Sequence, residues 1–241
     1  MNYLMLCSGK GHRFKKSGYK LSKPFIIHKK REIFHHSLND LKNKDKDLII
    51  LFLKKDQKLF LEYKKKDYAY KKISTIFLGK ILKGQAKSAH YSLNRINLKN
   101  NVPVTILPCD MKFKINETRL IKKIKYFDLV VWTIRLKNYQ KLNPNNYSFI
   151  HVNNETVIKL SYKNKISNKP LNDFAVTGAF TFKNKLDAKF FFEKLFKSKV
   201  MHNNEFYIDS LVNLLNKSNY KVSFIEIDKY QSFGVPEDID V

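Results

Sequence analysis

The 241-residue chain is poor in the residues that shape turns and crosslinks. It has 7 glycines, 6 prolines and 2 cysteines. Two cysteines, Cys7 and Cys109, supply neither a disulfide framework nor a zinc-ligand spacing, so a reducing, cytoplasmic setting is expected. No Pro/Gly/Ser-rich linker interrupts the chain, and no internal repeat is present. Residues 1–241 are therefore expected to be one domain with two halves, 1–111 and 112–241, joined near residues 112–126. The longest clean apolar run, Leu48 to Leu53, is far short of the ~20 residues a bilayer needs. Met1 to Cys7 lacks a basic leader, so no signal peptide is expected. Arginine is also scarce. Of 47 basic residues only Arg13, Arg31, Arg95, Arg119 and Arg135 are arginine. Base-reading surfaces favour the planar guanidinium fork. Lysines here are spread along the whole chain, so the net charge of +26 reads as a solvated coat. It predicts a general pull on polyanions at low salt, with no specific nucleic-acid partner.

Hydrophobic residues are plentiful, at 43% of the chain with 14% aromatic, which excludes a disordered chain. Their spacing alternates between two periods. Strands are expected at Asn2–Cys7, Asp47–Leu53, Ile73–Leu78 and Val102–Pro108. Helices are expected between them at Glu32–Lys42, Gln57–Lys71 and Gln85–Ile96. Strands alternating with helices imply an α/β fold, with a mostly parallel sheet covered on both faces. The second half is mixed. It has strands at Phe127–Leu136, Phe174–Phe182 and Lys221–Ile227, and a hairpin from Tyr147–Val152 and Glu155–Tyr162 around Asn153-Asn154. Helical patterns cover Leu186–Phe196 and Phe206–Asn216. This half reads as a smaller α+β lobe.

Two of the seven glycines and one of the five arginines crowd into "LCSGKGHRF", directly after the first strand. In an open α/β sheet, ligands bind beyond the carboxyl ends of the strands. A loop of Ser8, Gly9, Lys10 and Gly11 placed there lets backbone N–H groups approach an anion. Arg13 adds a two-pronged cation, and Lys23 a point charge ten residues on, before the rigid Pro24. The loop lacks a third glycine and a GK[ST] ending, so it is neither a dinucleotide fingerprint nor a P-loop. Plain tight turns also use paired glycines. The cations at both ends favour a triphosphate-binding loop. In "VTILPCD" a buried strand ends at Asp110, a carboxylate positioned to hold a divalent cation. Alone it reads as an ordinary turn aspartate, and its place at the same mouth singles it out. In "LKGQAKSAH", Gly84 and Gln85 open a helix facing that mouth. Gln85 could read a base edge, and a simple cap with a permissive glycine fits that stretch equally well.

Taken together these stretches resemble the nucleotidyltransferases that activate sugar phosphates. "LCSGKGHRF" is similar to their L-x-x-G-x-G-x-R-[FLM] opening. "KSGYKLSKPFI" resembles their P-K-P-hydrophobic segment, with Ser22 replacing the first proline. "VTILPCD" resembles the strand ending in their metal-binding aspartate. The nearest resemblance is to bacterial members from capsule and lipopolysaccharide clusters. There "YSFIHVNNETVIKLSYKNKISN", "FAVTGAFTFKN", "NNEFYIDSLVNLL" and "FGVPEDID" have counterparts in the same order, so the resemblance spans residues 3 to 240. It implies a Rossmann-like, glycosyltransferase-A-type sheet. It also implies a cytoplasmic enzyme that joins an NTP to a sugar 1-phosphate or similar acceptor and releases pyrophosphate, for surface polysaccharide. The implied nucleotide is CTP or UTP/dTTP ahead of ATP/GTP, the implied cofactor is Mg²⁺, and a homo-oligomer is left open.

By matching position, Gly9, Gly11 and Arg13 would cradle pyrophosphate, and Lys23 would contact the α-phosphate. Gln85 would sit near the base and Asp110 would hold Mg²⁺. Lys163, Gly178 and Glu205 would belong to the acceptor pocket. The chain departs from the family at two places. Ser232 stands where many relatives carry a second metal aspartate, and Tyr162 where they carry a glutamate. Three rival readings stay open: an NDP-sugar-using glycosyltransferase, a weakly active regulatory relative, and a basic nucleic-acid-binding protein. The first usually needs a D-x-D motif, where this chain has Asp110-Met111-Lys112.

Overall fold

The computed structural model describes residues 1–38, 41, 48–66, 73–139 and 142–239. Strands β1 (Asn2–Cys7), β4 (Leu48–Leu53), β5 (Ile73–Leu78) and β6 (Val104–Pro108) form a parallel block in the order β5-β4-β1-β6. β4 is buried at every position, and its Leu/Ile/Phe run is what a strand covered on both faces requires. The expected starts of this block at Asp47 and Val102 move inward, Asp47 itself lying outside the described residues. The sheet then continues through the second half. β11 (Phe174–Phe182) joins β6 antiparallel, followed by β8 (Leu129–Arg135), β12 (Val222–Glu226), β10 (Thr156–Ser161) and β9 (Phe149–Asn153). β12 runs parallel to β8, and β9 pairs back onto the start of β11. The nine-stranded sheet is thus parallel in its first block and mixed beyond it.

Alternation along β1 divides the core. Tyr3, Met5 and Cys7 face one layer and Leu4 the other. The first layer is covered by α2 (Ile33–Leu38), α3 (Gln57–Lys66) and α5 (Glu117–Ile124), through side chains including Phe34, Phe60 and Leu120. The second is covered by α4 (Gln85–Leu93), α6 (Lys185–Ser198) and α7 (Ser210–Lys217), through Ala89, Phe192 and Leu211. Phe34, Phe52 and Phe60 interlock with centroids 4.9–6.4 Å apart. Truncating one of them to alanine would cost about 3–5 kcal/mol.

Several expectations change in detail. The 112–126 joint is ordered as β7 (Met111–Lys114) and α5, which Asn116 caps by accepting from Arg119 N. Strong charge at every second position hid β7, which pairs with a strand that was also missed, β13 (Lys229–Ser232). The Phe206–Asn216 helix begins only at Ser210, because the Phe206 backbone is claimed by Lys83 and Ala86. The helix expected at Glu32–Lys42 is seen as α2, after Arg31-Glu32 pair as β3 with β2 (Ile27–His28). Its end, like residues 67–71 of the helix expected to Lys71, lies outside the described residues. The hairpin turn is shifted by one residue, since Asn153 pairs with Thr156 around Asn154-Glu155.

Candidate active site

Parallel pairing sets Leu6 beside Pro108, so the loop from Ser8 and the turn at Asp110 leave the sheet side by side. Residues a hundred positions apart in sequence thereby meet at one mouth. A cleft of about 1190 Å³ opens there. It is lined by Ser8, Gly9, Lys10, Gly11, Arg13 and Lys23 from the first loop, and by Gly84, Gln85 and Asp110 from the next two strand ends. Lys163, Gly178 and Glu205 line it from the second half. All twelve residues singled out in the sequence share this one cavity.

The loop is held from below by a small separate core. Phe14 of α1 (His12–Lys16) packs with Ile26, Ile33, Phe233 and Ile239. Phe14 is buried while its neighbour Arg13 is exposed and lines the cleft. Lys23 begins a short 3₁₀ turn in which Pro24 and Phe25 are buried, which fixes where its side chain starts. Its ammonium donates to Asp110 Oδ2 at 2.5 Å and to Gly234 O at 3.2 Å, and lies 5.0 Å from the Phe14 ring centroid. The cation expected at the phosphates and the carboxylate expected at the metal thus form an ion pair.

Ser232, at the end of β13, pairs across to Met111, and Phe233 N donates to Asp110 O at 2.7 Å. The place where relatives carry a second aspartate is therefore adjacent to Asp110. A carboxylate that sequence reasoning missed reaches it from six residues on. Asp238 Oδ2 accepts from Ser232 Oγ (2.6 Å), Gly234 N (2.8 Å) and Val235 N (3.1 Å). "VPEDID" carried the signal, an acidic residue in the first turn after Pro236. Among the described residues no group of three or more His, Cys, Asp or Glu is arranged to hold a metal. Mg²⁺ needs less than that. It is commonly bound through one or two carboxylates plus substrate phosphates and water. Asp110, already facing a cation in the form of the Lys23 ammonium, fits that pattern.

The far wall comes from the second half. β11 bulges between Val176 and Phe180, and Gly178 at its centre has φ +85°, a conformation that side chains disfavour. The bulge abuts Pro108 and aims Thr177, whose hydroxyl donates to Trp132 O. Gly84 has a different reason to be glycine. A Cβ there would lie 2.5 Å from Phe206 O, because the 83–86 segment hydrogen-bonds directly to the Phe206 backbone. This contact carries Glu205 to the rim, where it accepts from Lys10 Nζ at 2.7 Å. That pairing holds the Lys10 ammonium more firmly protonated.

Tyr162 stacks on His202 at 3.9 Å and packs against Tyr207, so the family's glutamate is replaced by an aromatic wall. Asp209, buried beside it, has its carboxyl pushed up by burial, with a hydrogen bond from Ser148 opposing the shift. It was not singled out, although an aspartate directly before a helix is a recognisable cue. Lys10, Arg13, Lys23 and Lys163 are the only lysines or arginines lining the cleft among the described residues, against the carboxylates Asp110, Glu205, Asp209, Glu237 and Asp238. The chain's excess positive charge is therefore not concentrated in this cavity.

The sequence matches the model of the nucleotidyl transferase family over residues 3–238. The chain belongs to the nucleotidyl transferase family. No curated protein matches it. Among solved structures, it is similar to a nucleoside-diphosphate-sugar pyrophosphorylase from Vibrio cholerae RC9, with TM-score 0.75, 21% identity, and coverage of 98% of this chain and 97% of that one. It is also similar to the inositol-1-phosphate CTP transferase from T. maritima, with TM-score 0.73, 13% identity, and coverage of 98% and 90%. A third is HddC from Yersinia pseudotuberculosis, with TM-score 0.71, 14% identity, and coverage of 98% and 95%. At these identities the likeness is one of fold. This nucleotidyltransferase shares the α/β architecture of those enzymes along nearly its whole length. No helix among its described residues is long and apolar enough to cross a membrane.

Proposed function

We propose that this nucleotidyltransferase transfers a nucleotidyl group from an NTP to a sugar 1-phosphate or a similar phosphorylated acceptor, releasing pyrophosphate. The observation that carries the reading is the Lys23–Asp110 pair at the floor of a cleft entered by the glycine loop on one side and Lys163 on the other. An acceptor phosphate oxygen attacks the α-phosphorus in line with the departing pyrophosphate. No covalent enzyme intermediate is needed, so catalysis is positioning plus charge neutralisation. The Gly9–Gly11 backbone and Arg13 hold the pyrophosphate oxygens as charge builds there. Lys23 leaves Asp110 for the α-phosphate, with Gly234 O keeping its ammonium within reach. Lys163 neutralises the acceptor phosphate. Gln85 sits at the base, and Gly178 and Glu205 bound the acceptor. A divalent cation, Mg²⁺, held by Asp110 would supply further charge neutralisation on the phosphates.

The base is read as a pyrimidine, CTP or UTP/dTTP, and the product as a nucleotide-activated precursor of surface polysaccharide, made in the cytoplasm. The colinear resemblance over residues 3 to 240 supports that finer reading. The test is pyrophosphate release with each NTP against a panel of sugar 1-phosphates and non-sugar phosphomonoesters. The expected result is release that requires both an NTP and one acceptor. Release with no acceptor, or none with any pair, would overturn it.

A further inference from the structure

Both cysteines of this cysteine-poor chain lie at the floor of the cleft. Cys7 is the last residue of β1, and Cys109 follows the last residue of β6. The ladder between these parallel strands ends with Leu6 beside Pro108, so one further step sets Cys7 beside Cys109. Their side chains face the same layer, in the cluster that contains Phe52 and Trp132. Both are free thiols, 1% and 7% exposed, and both line the cleft. Neighbouring strands run about 4.8 Å apart, inside the ~4.4–6.8 Å Cα separation that a disulfide bridges. Each cysteine also directly precedes site machinery, Cys7 the Ser8–Gly11 loop and Cys109 the Asp110 carboxylate. Two thiols serving only as small core side chains would need neither to be adjacent nor to border the cavity.

We propose that Cys7 and Cys109 form a reversible dithiol–disulfide site, oxidised through the open cleft by peroxide-class oxidants, whose disulfide form is inactive. Cys109 is the more accessible thiol. Its thiolate sulfur takes an oxygen from hydrogen peroxide, breaking the O–O bond to give a sulfenic acid. The hydroxide released takes up the thiol proton as water. The Cys7 sulfur then displaces the sulfenic hydroxyl, forming the S–S bond and releasing a second water with the Cys7 proton. In total two thiols lose two electrons and two protons, and one peroxide becomes two waters. Closing the bond takes the two sulfurs from contact to a bonding distance of about 2.05 Å, and that shift is passed to Ser8 and Asp110, the residues that directly follow. Both residues line the open cleft, so an added dithiol can reach the bridge and reduce it.

The test treats the substrate-free protein with hydrogen peroxide, blocks remaining thiols by alkylation, and maps the peptides without reduction. The Cys7 and Cys109 peptides should be joined within one chain. Turnover should fall by about tenfold or more, as displacement of reacting groups by an ångström does, and dithiothreitol should restore it. Cys109→Ser should give no joined peptide and keep its turnover through the same treatment. The proposal is overturned by alkylation of both wild-type thiols after a treatment that oxidises a dithiol peptide in the same tube. It is equally overturned by a joined pair with undiminished turnover, or by equal peroxide sensitivity in Cys109→Ser. The peptide map needs no substrate, so it decides the site independently of the reaction proposed above, and on the wild-type protein alone if the variant does not fold.

Discussion

Two lysine–carboxylate pairs lie in the cleft, one at its floor and one across its rim. At the floor, Lys23 and Asp110 are only 15% and 28% exposed, and Lys23 has a second partner in Gly234 O and an aromatic ring beneath it. At the rim, Lys10 and Glu205 are 45% and 22% exposed, and no second hydrogen bond holds the Lys10 ammonium among the described residues. The chemical types are the same and the environments are not. Partial desolvation strengthens a charge's hold on a phosphate or cation, while solvent and salt screen the same charge at the surface. The floor pair is therefore expected to do chemistry and the rim pair to tune access.

The sharpest test is Asp110→Asn. It removes the floor's negative charge with little change in shape. Turnover should fall on the order of 10²–10³-fold, as with loss of a group that stabilises transition-state charge. Circular dichroism should report an intact fold, and Mn²⁺ titration should show weakened binding. Wild-type turnover in this variant would erase the contrast. Arg13→Lys comes next. The charge stays and the fork is lost, so kcat should drop by about tenfold while KM for the NTP changes little. An unchanged kcat with a raised KM would make Arg13 a ground-state binder.

Gly84→Ala strikes the joint that carries Glu205 to the rim. With φ +96° and Phe206 backbone atoms 2.5–2.9 Å from a new Cβ, it should cost about 1–3 kcal/mol. The expected readouts are a lower Tm and a raised acceptor KM, and a neutral Tm would refute the close approach.

The floor is backed by Phe233, against which His36 packs. His36 donates to His28 O, and burial lowers its pKa from 6.5. The folded chain thus binds fewer protons at this site than the unfolded chain does. The stability it contributes is complete above about pH 6.5 and falls as pH drops below that value. His36→Gln keeps a donor and removes the titration, so chemical denaturation from pH 7.5 to 5.5 should show a flatter decline. An unchanged slope would exclude His36 as its source. The smallest effect is expected at the rim. Lys10→Met should leave kcat within about threefold, since exposed pairs contribute little. A loss as large as that of Asp110→Asn would break the comparison outright.

Most strands were readable because a buried strand in a parallel block has to be apolar at consecutive positions. β1 and β5 in that block have the expected bounds, and so does β11, an antiparallel strand read from its alternation. The ribbon of β7 and β13 was not readable. Met-Lys-Phe-Lys and Lys-Tyr-Gln-Ser are short, half-exposed and charged, and they pair only because the chain between them folds back. Helix α5 was missed for a related reason. Its apolar face is Leu120 and Ile124 alone, among lysines that pattern reading assigns to a loop. In the site, the glycines and Arg13 were legible as rare residues bunched in one place. Asp238 and Asp209 were not, since single acidic residues beside a turn are common and only their partners distinguish them.

By itself the sequence determined the alternation of strand and helix, the loop after β1, and the family resemblance, because hydrophobic period and rare-residue clustering are local properties. Tertiary structure decided which charges meet. Lys23 reaches Asp110, Lys10 reaches Glu205, Asp238 serves Ser232 and Cys7 lies beside Cys109, through strand order and register that no local pattern encodes. A lysine-coated chain has dozens of candidate partners for each carboxylate. Only the parallel pairing of β1 with β6 and the return of the 232–238 segment to Asp110 select among them.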